Sequence, residues 1–219
     1  LLFEDEWFPT DFDNLRFGAL PLIIGTLLTT FGSMLLSVPI GIMSAIYISE
    51  IAPSKIKNIL KTIVELLSGI PSVLFGLFGL IVISPWITET FNRPAGATWF
   101  NASLILAIMT LPTIISVSED ALRSVPNTYR EASLGLGANK WQTISDIILP
   151  SASSGITTSI ILGMGRAIGE TMAVIMIAGN IALIPDPITN IFYPIRTLTA
   201  TVAIEMPEIF QGGAHYSVL

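Results

Sequence analysis

The sequence predicts an all-α polytopic membrane protein, and three observations carry that prediction. Of its 219 residues, 52% are hydrophobic and 12% charged, about half the charged share of a soluble domain. The charges are also gathered into a few places. None lies between Arg16 and Glu50, between Glu65 and Glu89, or between Arg93 and Glu119, and each gap exceeds the roughly 20 apolar residues that cross a bilayer as a helix. Finally, the period-two alternation of a transmembrane barrel is absent.

Taken in order, residues 1–16 are an acidic, turn-rich extracytoplasmic lead-in holding Glu4, Asp5, Glu6, Asp11 and Asp13. Residues 17–51 form a first helical segment, about 50 Å long at about 1.5 Å per residue. That length calls for tilt, a kink near Pro39 or an interfacial start. Pro53 to Lys61 reads as a lysine-bearing loop. Residues 62–88 are a second span containing Gly69, Pro71, Gly76 and Gly79. A loop over 89–101 leads to a third span, 102–118, with Pro112. The region from 119 to 150 stands outside the membrane, and a fourth apolar segment runs from 151 to about 183. Pro185, Pro187, Pro194 and Pro207 interrupt the stretch after it. A fifth span begins near His215. The chain thus holds four spans and the start of a fifth. Its Leu1 start and HYSVL end suggest a fragment lacking a preceding and a completing transmembrane helix.

Lysine and arginine near span ends set orientation. The loops at 52–61 and 119–150 carry Lys55, Lys57, Lys61, Arg123, Arg130 and Lys140; those at 89–101 and 184–214 carry only Arg93 and Arg196. The first pair is therefore cytoplasmic. The net charge of −6 and the lack of a basic stripe argue against a nucleic-acid partner. Without cysteine there is neither a disulfide framework nor a thiolate metal site.

Within the region from 119 to 150, residues 131–150 read EASLGLGANKWQTISDIILP. Pro126 and Asn127 can open a short helix through Glu131. Gly137 suits a left-handed helix end from which the chain turns into a second helix. That helix carries Trp141, Ile144 and Ile148 on one stripe against Lys140, Gln142 and Asp146. A helix-turn-helix of this size fits a groove on a partner; an interfacial helix lying on the membrane is the plainer alternative. Glu131, Ala132, Ser133, Gly137, Ile147, Leu149 and Pro150 match the pattern E-A-A, three residues, Gly, nine residues, I-x-L-P, with Ser133 in place of the second Ala. This resembles the coupling loop of ABC importer permeases of the binding-protein-dependent (MetI-like) family. The resemblance implies a helical-bundle permease domain over 17–219, with a coupling loop at about 119–150 that meets a dimer of ATP-binding subunits.

A second informative stretch, GMGRAIGETMAVIMIAGN, covers 163–180. Arg166 and Glu170 lie four apart on one helical face, where opposite charges can meet. A charged side chain at mid-span costs about 2.5–3.5 kcal/mol on insertion scales. One reading is a helix-packing ion pair among close-contact glycines. The other is a fixed cation for an anion in transit, with Glu170 orienting a guanidinium whose planar donors suit an oxyanion. R-A-I-G-E-T-M-A, with FGALPLIIGTLLTT at 17–30, GIPSVLFGLFGL at 69–80 and RTLTATVAIEM at 196–206, is similar to phosphate-importer permeases of the PstC type. That resemblance implies Arg166, Glu170 and Thr171 on the substrate path. It also implies phosphate as solute, a second, PstA-like permease subunit, an extracytoplasmic phosphate-binding protein, and a multi-pass place in the lipid of the cell membrane.

Other readings have less behind them. The loop motif alone also permits a permease for sulfate, molybdate or another solute. An intramembrane enzyme needs a nucleophile and base, or paired aspartates, at membrane depth, where only Arg166 and Glu170 are charged. A passive channel needs no coupling loop. Glu119 and Asp120 are a metal or proton site or, more simply, solvated loop charges, and His215 lacks partners for a zinc or triad role. The glycines at 69, 76, 79, 163, 165 and 169 read as helix-contact residues. No G-x-x-x-x-G-K-[ST] occurs, so ATP binding by a P-loop in this chain is not expected. No catalytic role, metal or cofactor is expected.

Overall fold

The computed structural model describes residue 4 and residues 6–8, 16–209 and 213–219. Asp5, Asp11 and Asp13 of the acidic lead-in lie outside the described residues. Two short strands, β1 (Trp7–Phe8) and β2 (Arg16–Phe17), pair antiparallel with Trp7 opposite Phe17, and Arg16 pairs with Glu6. Apart from an isolated bridge between Gly179 and Ile195, the rest of the secondary structure among the described residues is helical. Among the described residues, three helices are long and apolar enough to cross a membrane: Leu20–Ile51, Ser72–Phe91 and Trp99–Ser124. A fourth is added if the bent pair Lys140–Ser151 and Ser153–Gly169, at 68°, is one span.

The first span is α1 (Leu20–Ile46), which carries Pro39 inside it and runs on into a π-helical turn, Tyr47–Ile51. It ends where Ala52 turns extended before Pro53, since the residue before proline is driven away from helical geometry.

The next boundary differs from the sequence reading. Residues 53–61 are not a loop. They open α2 (Ser54–Ser68), and the second span starts only after the break at Gly69-Ile70-Pro71, as α3 (Ser72–Phe78), a π turn (Gly79–Ile83) and α4 (Ser84–Phe91). Nothing between Ser54 and Ser68 breaks a helix, whereas Pro71 lacks an N–H and restricts Ile70. The third span, α5 (Trp99–Ser124), is likewise longer at both ends than the apolar run within it.

That extension changes the standing of Glu119, which reads from sequence as a solvated loop charge. It lies inside α5 and is 2% exposed. Its carboxylate sits 2.8 Å from Lys61 Nζ, 3.3 Å from Lys57 Nζ and 3.6 Å from Arg123 Nη1. A lone buried carboxylate is very costly, and α2 supplies the compensation by turning Lys57 and Lys61 toward it. Hydrogen bonding to Glu119 in turn holds the Lys61 ammonium above its usual range. The same rotation leaves Ile56, Ile59, Ile63 and Leu66 of α2 exposed. Asp120, one residue on, stays exposed. No group of three or more His, Cys, Asp or Glu among the described residues is placed to hold a metal.

Beyond α5 come α6 (Asn127–Gly135), α7 (Lys140–Gln142), a π turn (Thr143–Ile148), α8 (Leu149–Ser151) and α9 (Ser153–Gly169). The fourth segment does not continue to 183. It breaks after Gly169, resumes as α10 (Met172–Ile177), and stops where Gly179 and Asn180 take φ of +87° and +55°. α11 (Leu198–Glu205) and α12 (Ala214–Val218) follow, the latter holding His215 at the expected start of a fifth span.

By contact the chain divides into two compact units, residues 1–33, 71–107 and 167–219, and residues 34–70 and 108–166. In the first, α3 packs on α10 so closely that a Cβ on Gly76 would sit 2.9 Å from the Ala173 Cα, and one on Gly79 2.9 Å from Ile105 and Ile177. Asn101, fully buried, donates to the carbonyls of Gly79 and Gly96, both at 3.1 Å. The second unit has its core in Ala45, Leu122, Val125, Ile144, Ile148 and Ala152, flanked by Ile46, Ala121, Leu149 and Ile156. This core lies directly under the EASLGLG turn.

Candidate functional site

The turn after α6 is held by reciprocal backbone bonds. Gly137, at φ +88°, donates to the Leu134 carbonyl at 3.0 Å, and Ala138 donates to the Ser133 carbonyl at 3.2 Å. These are the two bonds of a Schellman ending, which needs a left-handed residue at this position. Two residues later Asn139 caps α7. Its side chain accepts from Gln142 N at 2.9 Å, and Gln142 Oε1 accepts from Asn139 N at 2.8 Å, a closed capping box.

Ser133 ties the two arms together. Its hydroxyl is 3.0 Å from that of Thr143, which also donates to the Asn139 carbonyl at 3.1 Å, and both side chains are buried. Of the predicted stripe, Ile144 and Ile148 face the core, whereas Trp141 stands out of it, 64% exposed. The start of α7 lies beyond the reach of the core that covers the following turns. The outer surface therefore carries Tyr129, Leu134, Leu136 and Trp141, with Leu136 90% exposed. Glu131 and Ala132 are exposed on α6, Ile147 and Leu149 are partly buried, and Pro150 is exposed in the first turn of α8.

The structure brings together residues that sequence reasoning did not single out. Arg130 reaches Glu50 in the π turn ending α1, with Nη2 at 2.7 Å and Nε at 3.2 Å. It also donates to the carbonyls of Val125 at 2.6 Å and Leu122 at 3.0 Å. Its place beside Glu131 was the available signal; its partner, 80 residues away, gave none.

The second candidate region is the break after α9. Arg166 and Glu170 do not share a continuous helical face, because α9 ends at Gly169. Arg166 Nη1 donates to Thr113 Oγ1 at 3.2 Å, and no ion pair among the described residues includes it. Glu170 Oε1 accepts from Ala173 N at 3.2 Å, so it satisfies one of the open N–H groups at the start of α10. Its backbone carbonyl accepts from Thr199 Oγ1 at 3.1 Å. Thr171 stands at the N-cap position of α10, with its hydroxyl on the Gly169 carbonyl at 3.3 Å. Glu170 thus serves as a helix cap on α10, and the partner of Arg166 is a neutral hydroxyl. The flanking glycines divide similarly. Gly163 packs on Ile114, whereas a Cβ on Gly165 or Gly169 would meet nothing within 4 Å. The latter two meet no neighbour among the described residues.

Comparison with known proteins now bears on this arrangement. Residues 37–206 match the family described as binding-protein-dependent transport system inner membrane component. The chain is similar to a probable ABC transporter permease protein, YqgH, of Bacillus subtilis, with 39% identity over 98% of this chain and 68% of that protein. It is similar to the phosphate transport system permease protein PstC of Mesorhizobium japonicum, with 34% identity over 94% of this chain and 67% of that protein. PstC of Haemophilus influenzae matches at 34% identity over all of this chain and 73% of that protein. Among solved structures, the MetNI methionine ABC transporter in inward-facing conformations aligns at a TM-score of 0.63 with 18% identity, covering 91% of this chain and 83% of that one. An amino acid ABC transporter with histidines aligns at 0.58 with 19% identity, over 85% and 76%. These two speak for the fold alone. The matched residues take in both candidate regions, and the chain belongs to the binding-protein-dependent inner membrane component family as an ABC importer permease.

Proposed function

We propose that the chain is the membrane-spanning subunit of an ATP-driven phosphate importer in the cytoplasmic membrane. In this reading it forms the path with a second, PstA-like permease subunit, receives phosphate from an extracytoplasmic binding protein, and is driven by a separate pair of ATP-binding subunits seated on the turn at 131–150. The observation that carries the substrate is Arg166. Its guanidinium is held by a neutral hydroxyl rather than a carboxylate, so its charge is not neutralised by a fixed partner. A Cβ on Gly165, the residue before it, would meet nothing within 4 Å among the described residues. A forked cation in such surroundings suits an oxyanion. The PstC-named relatives point to the same solute, while YqgH carries only the general permease description.

The test is uptake of labelled phosphate, sulfate and molybdate by the assembled complex. We expect phosphate alone to be imported, and Arg166→Gln to lower uptake sharply without loss of membrane insertion, since a neutral side chain is less costly to insert than a charge. Arg166→Lys should also be impaired, because a point charge does not reproduce the forked donors. Import of sulfate in place of phosphate, or full transport by Arg166→Gln, would refute the assignment.

A further inference from the structure

The Arg130 guanidinium has five N–H donors in a fixed plane, and all five have acceptors. Nε and one Nη2 hydrogen go to Glu50, at 3.2 and 2.7 Å. The other Nη2 hydrogen goes to Leu122 O at 3.0 Å, and the Nη1 pair to Val125 O at 2.6 Å and Asn127 Oδ1 at 3.4 Å. One side chain of α6 is thereby fixed to the π turn ending α1, to the Leu122 carbonyl in the last turn of α5, which has no helical N–H to accept from, and to the Val125 carbonyl just past that helix. Directly beneath, Ala45 of α1, Leu122 of α5 and Ile144 and Ile148 of the π turn share one core. Arg130 immediately precedes the exposed Glu131, so the strut starts at the outer surface of the turn.

We propose that Arg130 and Glu50 are positioning residues that transmit movement of the 127–150 turn to the ends of α1 and α5. The turn and these helix ends then move as one body. This rests on the reading that the turn meets the ATP-binding subunits. A dispensable surface ion pair would leave donors to water and be worth little; here both side chains are mostly buried and the bonds reach two different helices. Charge alone is insufficient, because only a planar fork serves Glu50, Leu122 and Val125 together.

The experiment uses the assembled importer in vesicles and reads the ratio of phosphate imported to ATP hydrolysed. Glu50→Gln and Arg130→Lys should each lower that ratio at least tenfold while the complex still assembles and hydrolyses ATP. The exchanged pair, Glu50→Arg with Arg130→Glu, should not restore it, since a carboxylate at 130 cannot donate to the carbonyls of α5. An unchanged ratio, whether from normal activities or from a parallel loss of both, overturns the proposal and leaves the pair as stability only. Because the chain has no cysteine, Leu136→Cys reports contact with the ATP-binding subunit by cross-linking. No cross-link from Leu136→Cys in the otherwise unaltered chain would overturn the reading of the turn and the strut with it. A cross-link with an unchanged ratio in Glu50→Gln would overturn the strut alone.

Discussion

The turn at 131–150 and the break at 166–172 are both glycine-bearing interruptions between helices, yet their determinants lie at different distances along the chain. At the turn, nearly every partner is within ten residues: Gly137 on Leu134, Ala138 on Ser133, Asn139 with Gln142, Ser133 with Thr143. At the break, Arg166 depends on Thr113, 53 residues away, and the Glu170 carbonyl on Thr199, 29 residues away. Only the Glu170 carboxylate and the Thr171 hydroxyl find partners nearby, on Ala173 N and the Gly169 carbonyl. The first is a device built from local rules and presents one fixed surface. The second draws its partners from distant segments of the chain. The proposed coupling role calls for a rigid surface, and the proposed solute path for one that changes between states.

The largest effect expected on the turn comes from Gly137→Val. A β-branched residue held at φ +88° is strained by about 1–3 kcal/mol, and nothing within 4 Å of the new Cβ adds a clash inside the chain. The damage is therefore conformational. We expect phosphate import per ATP to fall at least tenfold, while Gly137→Asn, which tolerates the left-handed region, keeps most of it. Equal loss in both variants would point instead to a side chain obstructing the partner's groove, and would weaken the idea that the turn is locally determined.

At the break, the sharper comparison is among variants of Glu170. If its work is to cap α10, Glu170→Gln retains the acceptor for Ala173 N–H and keeps substantial uptake, whereas Glu170→Ala loses the bond at a cost of about 0.5–2 kcal/mol. If its charge acts on Arg166 or on the passing anion, Gln should be as damaging as Ala. We expect Gln to lie within about threefold of the parent and Ala well below it, in labelled-phosphate uptake at matched abundance. Equal loss in the two would restore a role for the charge.

The same distinction explains what the sequence made legible. The long apolar helices as a class, the left-handed Gly137 and the two-armed turn follow from local chemistry; the capping box of Asn139-x-x-Gln142 is local too, although the sequence reading did not single it out. Two kinds of feature were not readable. Charge placement misleads where a lysine-rich stretch reads as a loop, because Lys57 and Lys61 pair with Glu119 and that pairing needs α2 and α5 side by side. Helical periodicity misleads at Glu170, where an apolar run continues past Gly169 although the helix does not. No proline marks that break, and its remote partners are invisible in one dimension. The Arg130–Glu50 pair belongs with these, its members 80 residues apart.

The smallest expected effect tests whether the turn is as over-determined as its bonds imply. Ser133 replaces the alanine of the family pattern and adds the bond to Thr143 at 3.0 Å. Removing one partner of a buried hydrogen bond is costly when the other is left without any. Thr143 Oγ1 is not left so, because it still donates to the Asn139 carbonyl at 3.1 Å. The backbone bonds of Gly137 and Ala138 and the capping box do not involve the serine hydroxyl. Ser133→Ala should therefore cost about 0.5–1.5 kcal/mol, the usual net worth of one intramolecular hydrogen bond. Thermal unfolding of the complex should move by no more than a few degrees, with import per ATP unchanged. Thr143→Val should cost more, since it orphans the Ser133 hydroxyl and the second bond as well. The double variant should cost less than the sum of the singles, because they share one interaction. Strict additivity would mean that the two hydroxyls do not cooperate, and that the turn is held by its backbone bonds alone.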